Sequence, residues 1–139
     1  MQKTVKCVLF IDDDTATNFI HKRIAEKSQC FDNVITVPSG KEALQYLEKV
    51  SKGALTHPQL IFLDLNMPAM NGWEFLEKYK HMPAPLRKRI KVFILSSSAM
   101  KKDINRAKEY ADVIGFLNKP FTQKALNELM KDENGFELN

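Results

Sequence analysis

The chain has 139 residues, 44% hydrophobic and 27% charged, and with five glycines and six prolines it is neither disordered, collagen-like nor a disulfide scaffold. No apolar run nears the roughly 18 residues needed to cross a bilayer, and the N-terminus lacks a signal-peptide core, so one cytoplasmic domain is expected. The net charge of +4 is spread from Lys3 to Lys131, mostly beside acids; its densest run, Arg87-Lys88-Arg89 with Lys91, follows Pro83 and Pro85 and reads as a solvated loop or helix end rather than a nucleic-acid surface.

Cys7 leads into the first of five short apolar runs, Val8-Leu9-Phe10-Ile11, and reads as a small buried hydrophobe; with Cys30 it forms no CxxC or metal spacing. A helix follows, with Ala16, Phe19, Ile20 and Ile24 on one face and Asp14 or Thr15 as its N-cap. The second run, Val34-Ile35-Thr36-Val37, leads to the capping-box sequence Ser39-Gly40-Lys41-Glu42 and a helix presenting Ala43, Leu44, Leu47 and Val50. After the third run, Leu60-Ile61-Phe62-Leu63, Asn71 can cap a helix that buries Phe75, Leu76 and Tyr79. The fourth run, Val92-Phe93-Ile94-Leu95, precedes a helix marked by Ile104, Ala107 and Ala111. The fifth, Val113-Ile114-Gly115-Phe116-Leu117, precedes one capped by Thr122 and lined by Ala125, Leu126, Leu129 and Met130. The runs are continuous rather than alternating, as strands covered on both faces are. Five strand-helix units with short connections predict an α/β doubly wound sandwich with a parallel sheet. The expected organisation is one domain over residues 5–131, a short acidic tail over 132–139, and no output domain.

Polar residues fall at the ends of the runs: Asp12-Asp13-Asp14 after the first, Asp64 after the third, Ser96-Ser97-Ser98 after the fourth, Asn118-Lys119-Pro120 after the fifth. In open parallel sheets sites form at the carboxyl ends of strands, where strand order reverses. With the order 2-1-3-4-5, Asp12, Asp13 and Asp64 converge on one crevice, and Ser96 and Lys119 reach in from the neighbouring strands. Clustered carboxylates repel and call for an offsetting charge; their oxygens suit Mg²⁺, and Lys119 adds an ammonium. A divalent cation, a lysine and a hydroxyl around one carboxylate are the parts that stabilise a transferring phosphoryl group, with Asp64 as the nucleophile.

These residues also carry a resemblance. Phe10-Ile11-Asp12-Asp13-Asp14, Leu63-Asp64-Leu65-Asn66-Met67-Pro68 with Gly72, Leu95-Ser96-Ser97 and Asn118-Lys119-Pro120-Phe121 resemble the signature set of stand-alone, chemotaxis-regulator-like receiver domains of two-component response regulators, over about Val5 to Met130. The resemblance implies a flavodoxin-like (βα)5 fold and phosphoryl transfer from a sensor histidine kinase or phosphotransfer protein to Asp64. It implies Mg²⁺ bound by Asp13, Asp64 and the backbone carbonyl of Asn66, with Asp12 acting largely through water. Ser96 and Lys119 would hold phosphoryl oxygens, Ser96 and Phe116 would form the switch pair, and Asn66 and Ser98 would flank the path of the hydrolytic water and set phosphate lifetime. Lys119-Pro120 would be cis. A serine stands where threonine is commoner at the switch, and a phenylalanine at the switch aromatic, and neither removes a phosphorylation part. The chain is expected to catalyse only its own phosphorylation and dephosphorylation, and to signal by binding a downstream protein as a monomer or weak dimer, with no nucleic-acid partner and no membrane insertion.

Two other classes fit less well. A haloacid-dehalogenase-type phosphohydrolase would show D-x-D-x-[TV] after its first strand, whereas Asp12-Asp13-Asp14-Thr15 is followed by Ala16. A flavodoxin-like cofactor binder would carry a Ser/Thr/Gly-rich phosphate loop there. His21, His57 and His81 read as solvent or loop residues, and Trp73, at the start of the third helix, as packing.

Overall fold

The computed structural model describes residues 5–97 and 100–131. Five strands, β1 (Val5–Ile11), β2 (Phe31–Val37), β3 (Leu60–Asp64), β4 (Lys91–Ser96) and β5 (Val113–Asn118), pair in parallel in the order β2-β1-β3-β4-β5. Between and after them lie α1 (Thr15–Ser28), α2 (Gly40–Ser51), α3 (Gly72–Tyr79), the four-residue α4 (Ala84–Arg87), α5 (Lys101–Ala107) and α6 (Gln123–Lys131). The expected flavodoxin-like sandwich is the fold found. α4 is an addition: a single turn started by Pro83, whose fixed φ suits a helix entry, before β4.

The continuous apolar runs are strands of a sheet covered on both faces, as expected. The central strands β1, β3 and β4 are buried almost throughout, whereas the edge strands β2 and β5 are half-buried. One core fills the sheet face under α2, α3, α4 and α5, with Leu9, Leu47, Leu63, Phe75 and Ile94 at its centre. The other lies under α1 and α6, where Phe10, Phe62 and Phe93 stack in sequence and Phe121 packs against the first two. Cys7 is buried, and burial pushes its thiol up to about 11.

The caps stand where sequence placed them. Asp14 accepts from Ala16 N and Thr17 N, Ser39 from Glu42 N at 3.1 Å, Thr122 from Ala125 N at 3.0 Å. Asn71 and Glu74 form a complete reciprocal capping box. At Ser39 only half the box forms, because the Glu42 carboxylate accepts from the serine hydroxyl at 3.4 Å.

Four expectations are corrected. The face of α1 that meets the sheet is Asn18, His21 and Ala25, with Ile24 at its margin; Ala16, Phe19 and Ile20 point to solvent, Phe19 with 61% of its surface exposed. His21 is therefore a core residue, its ring 5.2 Å from that of Phe10 and 5.6 Å from that of Phe121. α5 ends at Ala107, and Ala111 sits exposed in the turn beyond it. The basic run divides: Lys88 and Arg89 are exposed, but Arg87 is drawn in by an ion pair with Asp112 at 3.1 Å and by Met82 O, which accepts from its Nε at 2.9 Å. His57 is half-buried, its Nδ1 2.7 Å from Pro58 O, and His81 is exposed.

The loop from β3 to α3 turns back tightly enough that Gly72 N donates to Leu65 O at 2.9 Å. A Cβ on Gly72 would stand 2.9 Å from Asp64 O and 2.9 Å from Leu65 Cα, both backbone atoms that cannot swing aside. Gly72→Ala should lower unfolding stability by about 1–3 kcal/mol through this overpacking. Chemical denaturation checks it, with amide NMR shifts centred on Asp64 and Leu65 locating the displacement.

His21 supplies a pH dependence. Burial lowers its pKa from 6.5 to about 4, against the attraction of Asp12. The unfolded chain takes up a proton near pH 6.5 that the folded chain refuses until about 4, so stability falls as pH drops through that window, by up to ~3 kcal/mol. Asp64, raised by burial, works in the opposite sense over the acidic end. Thermal midpoints measured from pH 7 to pH 4 should fall in the wild type and fall less in His21→Phe.

Candidate functional site

β1 and β3 are neighbours, and their carboxyl ends deliver Asp12 and Asp64 to one edge of the sheet. Both side chains are almost fully buried while Asp13 is exposed. Carboxylate oxygens of all three lie within 4.8 Å of one another. The next strand end adds Ser96, buried at the end of β4, and β5 adds Lys119, whose backbone N donates to Ser96 O at 2.8 Å. The Lys119 ammonium crosses to the acids, with Nζ 2.7 Å from Asp12 Oδ2 and 3.4 Å from Asp64 Oδ1.

The electrostatics follow from that arrangement. Burial, then the neighbouring Asp12 charge, raises the pKa of Asp64, with Lys119 and the Asn66 N–H pulling the other way. Burial alone would lower that of Lys119, but the Asp12 and Asp64 carboxylates outweigh it and the group is held charged. Further donors fix the acids: Asp14 N gives to Asp12 Oδ1 at 3.0 Å and Asn66 N to Asp64 Oδ1 at 3.3 Å. The Lys119-Pro120 peptide is cis.

Asp12, Asp13, Asp64, Asn66, Ser96 and Lys119 thus stand at one crevice as read from the sequence. Ser98 lies outside the described residues, as does the tail over 132–139. Phe116 is half-buried on β5 and pairs in register with Ile94, two residues before Ser96, so it shares a sheet face with the serine. A donor set of three carboxylates fits a hard cation such as Mg²⁺, which binds oxygen ligands and keeps several waters.

Beside the acids lies a cleft of about 510 Å³ lined by Leu65, Asn66, Trp73, Ser96, Met100 and Lys102 among others. Trp73 is a packing residue, stacked on Tyr110 with the Arg106 guanidinium 4.6 Å from its ring centre. Sequence reasoning missed Asn18, whose Nδ2 donates to Asp12 O at 2.8 Å and Val37 O at 3.2 Å from beneath the site. No sequence signal could have found it, because the apolar stripe of α1 pointed to the other face.

Residues 8–131 match the family model of the response regulator receiver domain. The crystal structure of a two-component response regulator from Cytophaga hutchinsonii superposes with a TM-score of 0.83 at 32% identity, over 91% of this chain and 94% of that one. The Mn²⁺-bound form of response regulator Rcp1 superposes with a TM-score of 0.71 at 27% identity, over 96% and 94%. Two-component response regulator ORR5 of Oryza sativa subsp. japonica is 34% identical, over 88% of this chain and 84% of its own length. Of other plant relatives the chain spans little more than half, 53% and 56% for two regulators from rice and Arabidopsis thaliana. With the sheet order, the acid triad, the buried lysine and these likenesses together, the chain belongs to the response regulator receiver-domain family.

Proposed function

We propose that this chain is a phosphoacceptor switch: Asp64 takes a phosphoryl group from the phosphohistidine of a partner histidine kinase or phosphotransfer protein, with Mg²⁺, and the phosphorylated chain signals by binding a downstream protein. The observation that carries the reading is the Lys119 ammonium set between the buried carboxylates of Asp12 and Asp64. An Asp64 oxygen attacks phosphorus while the phosphorus–nitrogen bond breaks, and the leaving imidazole nitrogen keeps the electron pair and takes up a proton. Burial leaves that carboxylate poorly solvated, which favours attack. Asp13, Asp64 and the backbone carbonyl of Asn66 would hold Mg²⁺, with Asp12 acting through water; when bound, the cation neutralises charge on the phosphoryl oxygens. A relative in the Mn²⁺-bound form supports that site. Lys119 and the Ser96 hydroxyl are placed to hold phosphoryl oxygens.

The change in packing follows from Ser96 and Phe116 sharing one face. Phosphate on Asp64 draws the Ser96 hydroxyl toward it, and the Phe116 ring moves into the space released. A cleft of about 150 Å³, lined by Phe116 with Ile104, Ala107 and Val113, joins this movement to α5. The added phosphate contacts shift a population between two packings. Asn66, which lines the cleft, tunes how fast water removes the group; Ser98 is given the same role from the sequence resemblance. The chain acts on no substrate but its own aspartate, in the cytoplasm, as a monomer or weak dimer without nucleic-acid contact; no helix among the described residues is long and apolar enough to cross a membrane.

Incubation with Mg²⁺ and a small phosphodonor should add one phosphoryl group, absent without the cation and abolished in Asp64→Asn, since an amide is a poor nucleophile. Asp13→Ala should slow labelling at least tenfold while leaving the unfolding midpoint near that of the wild type. Mass-spectrometric placement of the group on Asp12, Asp14 or a serine would overturn the assignment. Beryllofluoride with Mg²⁺ should move NMR amide resonances over 101–110 and 116–119; shifts confined to α1 and α2 would count against the switch.

A further inference from the structure

Asn18 stands on the sheet-facing side of α1 with only 6% of its surface exposed. Its side-chain amide donates to two carbonyls at once, Asp12 O at 2.8 Å and Val37 O at 3.2 Å. Asp12 N in turn donates to Val37 O at 3.2 Å. One amide therefore ties α1 to the carboxyl ends of β1 and β2 directly beneath the acids.

The Asp12 carbonyl belongs to the peptide unit that joins Asp12 to Asp13. That unit is planar, so fixing its oxygen fixes where the Cα of Asp13 stands and where its carboxylate begins. Asp12 has other anchors for its side chain, in Lys119 Nζ and Asp14 N. The exposed Asp13 carboxylate has no hydrogen bond or ion pair among the described residues. What places it is its backbone.

Packing does not account for an asparagine here. Asn18 Oδ1 is buried and has no hydrogen-bond partner, and a buried acceptor left unpaired is destabilising. Leucine would fill the space and remove the unpaired Oδ1, but it would leave Asp12 O without its donor. The feature leucine lacks is the donor pair aimed at Asp12 O and Val37 O.

We infer that Asn18 is a positioning residue for the cation site: by holding the Asp12–Asp13 peptide it sets the Asp13 carboxylate against those of Asp12 and Asp64. The inference rests on the Mg²⁺ reading above, and it gives α1 a part in binding although the helix supplies no ligand. Partners that orient ligands in this way typically change metal affinity 10–100-fold when removed.

The test is calorimetric titration of the full chain with Mn²⁺ alone and with Mg²⁺ alone, with thermal unfolding of each variant in cation-free buffer. Asn18→Leu and Asn18→Ala should bind either cation at least tenfold more weakly, while Asn18→Leu, which keeps the space filled, unfolds at a higher midpoint than Asn18→Ala. Ala25→Gly, a destabilising change on the same helix face away from the carbonyls, should bind as the wild type does. Unchanged affinity in both Asn18 variants, with the wild type binding, overturns the inference and leaves the cation site standing. A loss of affinity in Ala25→Gly equal to theirs also overturns it, by assigning the effect to general loosening. A wild type that binds neither cation at millimolar concentration overturns the site and the inference together.

Discussion

Two carboxylates and one ammonium, Asp12, Asp64 and Lys119, meet within 3.4 Å at the carboxyl edge of the sheet, and the site depends on their balance. Unit charges 4 Å apart interact by about 4 kcal/mol at the effective dielectric of a protein surface. Asp12 and Asp64 repel on that scale, and Lys119 attracts each on the same scale. The lysine arrives from the opposite edge of the sheet, since β5 is separated from β1 by β3 and β4. Its reach works only if all four strands end level, which the registers of β1 with β3, β3 with β4 and β4 with β5 provide. The backbone bond from Lys119 to Ser96 pins the last step. An exposed cluster would be screened and mobile; here burial of Asp12, Asp64 and Ser96 keeps the interactions strong and the geometry single.

Much of this was legible in the chain. Buried parallel strands must be apolar on both faces, so the runs at Val8, Leu60 and Val92 announced the three central strands, and what interrupts each run marks the site. Asp64 and Ser96 are visible as polar residues ending such runs. The caps are legible because Asp, Ser, Asn and Thr satisfy the free N–H groups of a first helical turn in a way few other residues do.

The orientation of α1 was not legible, and the reason is physical. Its apolar side chains Phe19 and Ile20 lie on nearly the opposite face from Asn18, His21 and Ala25. Periodicity assigns the greasier stripe to the core. The orientation of this helix is instead set where it begins: Asp14 caps it, and Asn18, one turn on, bonds the Asp12 carbonyl. Two polar anchors at one end outvote the hydrophobic stripe, and His21 is carried into the aromatic core beside Phe10 and Phe121 as a consequence. The end of α5 escaped for a different reason. Without a side-chain cap at Met100, and with Ala107 its one fully buried residue, it carries little sequence signal for its end.

Several local departures gather at the site. The unpaired Oδ1 of Asn18, the unpaired Nδ1 of His21, the compressed approach at Gly72 and the raised pKa of Asp64 all lie at or just beneath the carboxyl edge. Each is a local departure from what stability alone would select. The stacked phenylalanines Phe10, Phe62 and Phe93 and the Leu9–Leu63–Ile94 layer on the other face lie farther down the same strands, where packing predominates, although the Tyr79 hydroxyl is buried there without a partner and a Cβ on Gly115 would stand 2.6 Å from the Phe93 ring. The strands thus divide along their length: their middles supply cohesion, and their ends hold a strained set of charges in place. On the proposed function, a phosphoryl group added at Asp64 would act on that end of the strands. Ser96 ends the strand beside it and Phe116 pairs in register with Ile94 two residues earlier, so a change there has a short path along one sheet face.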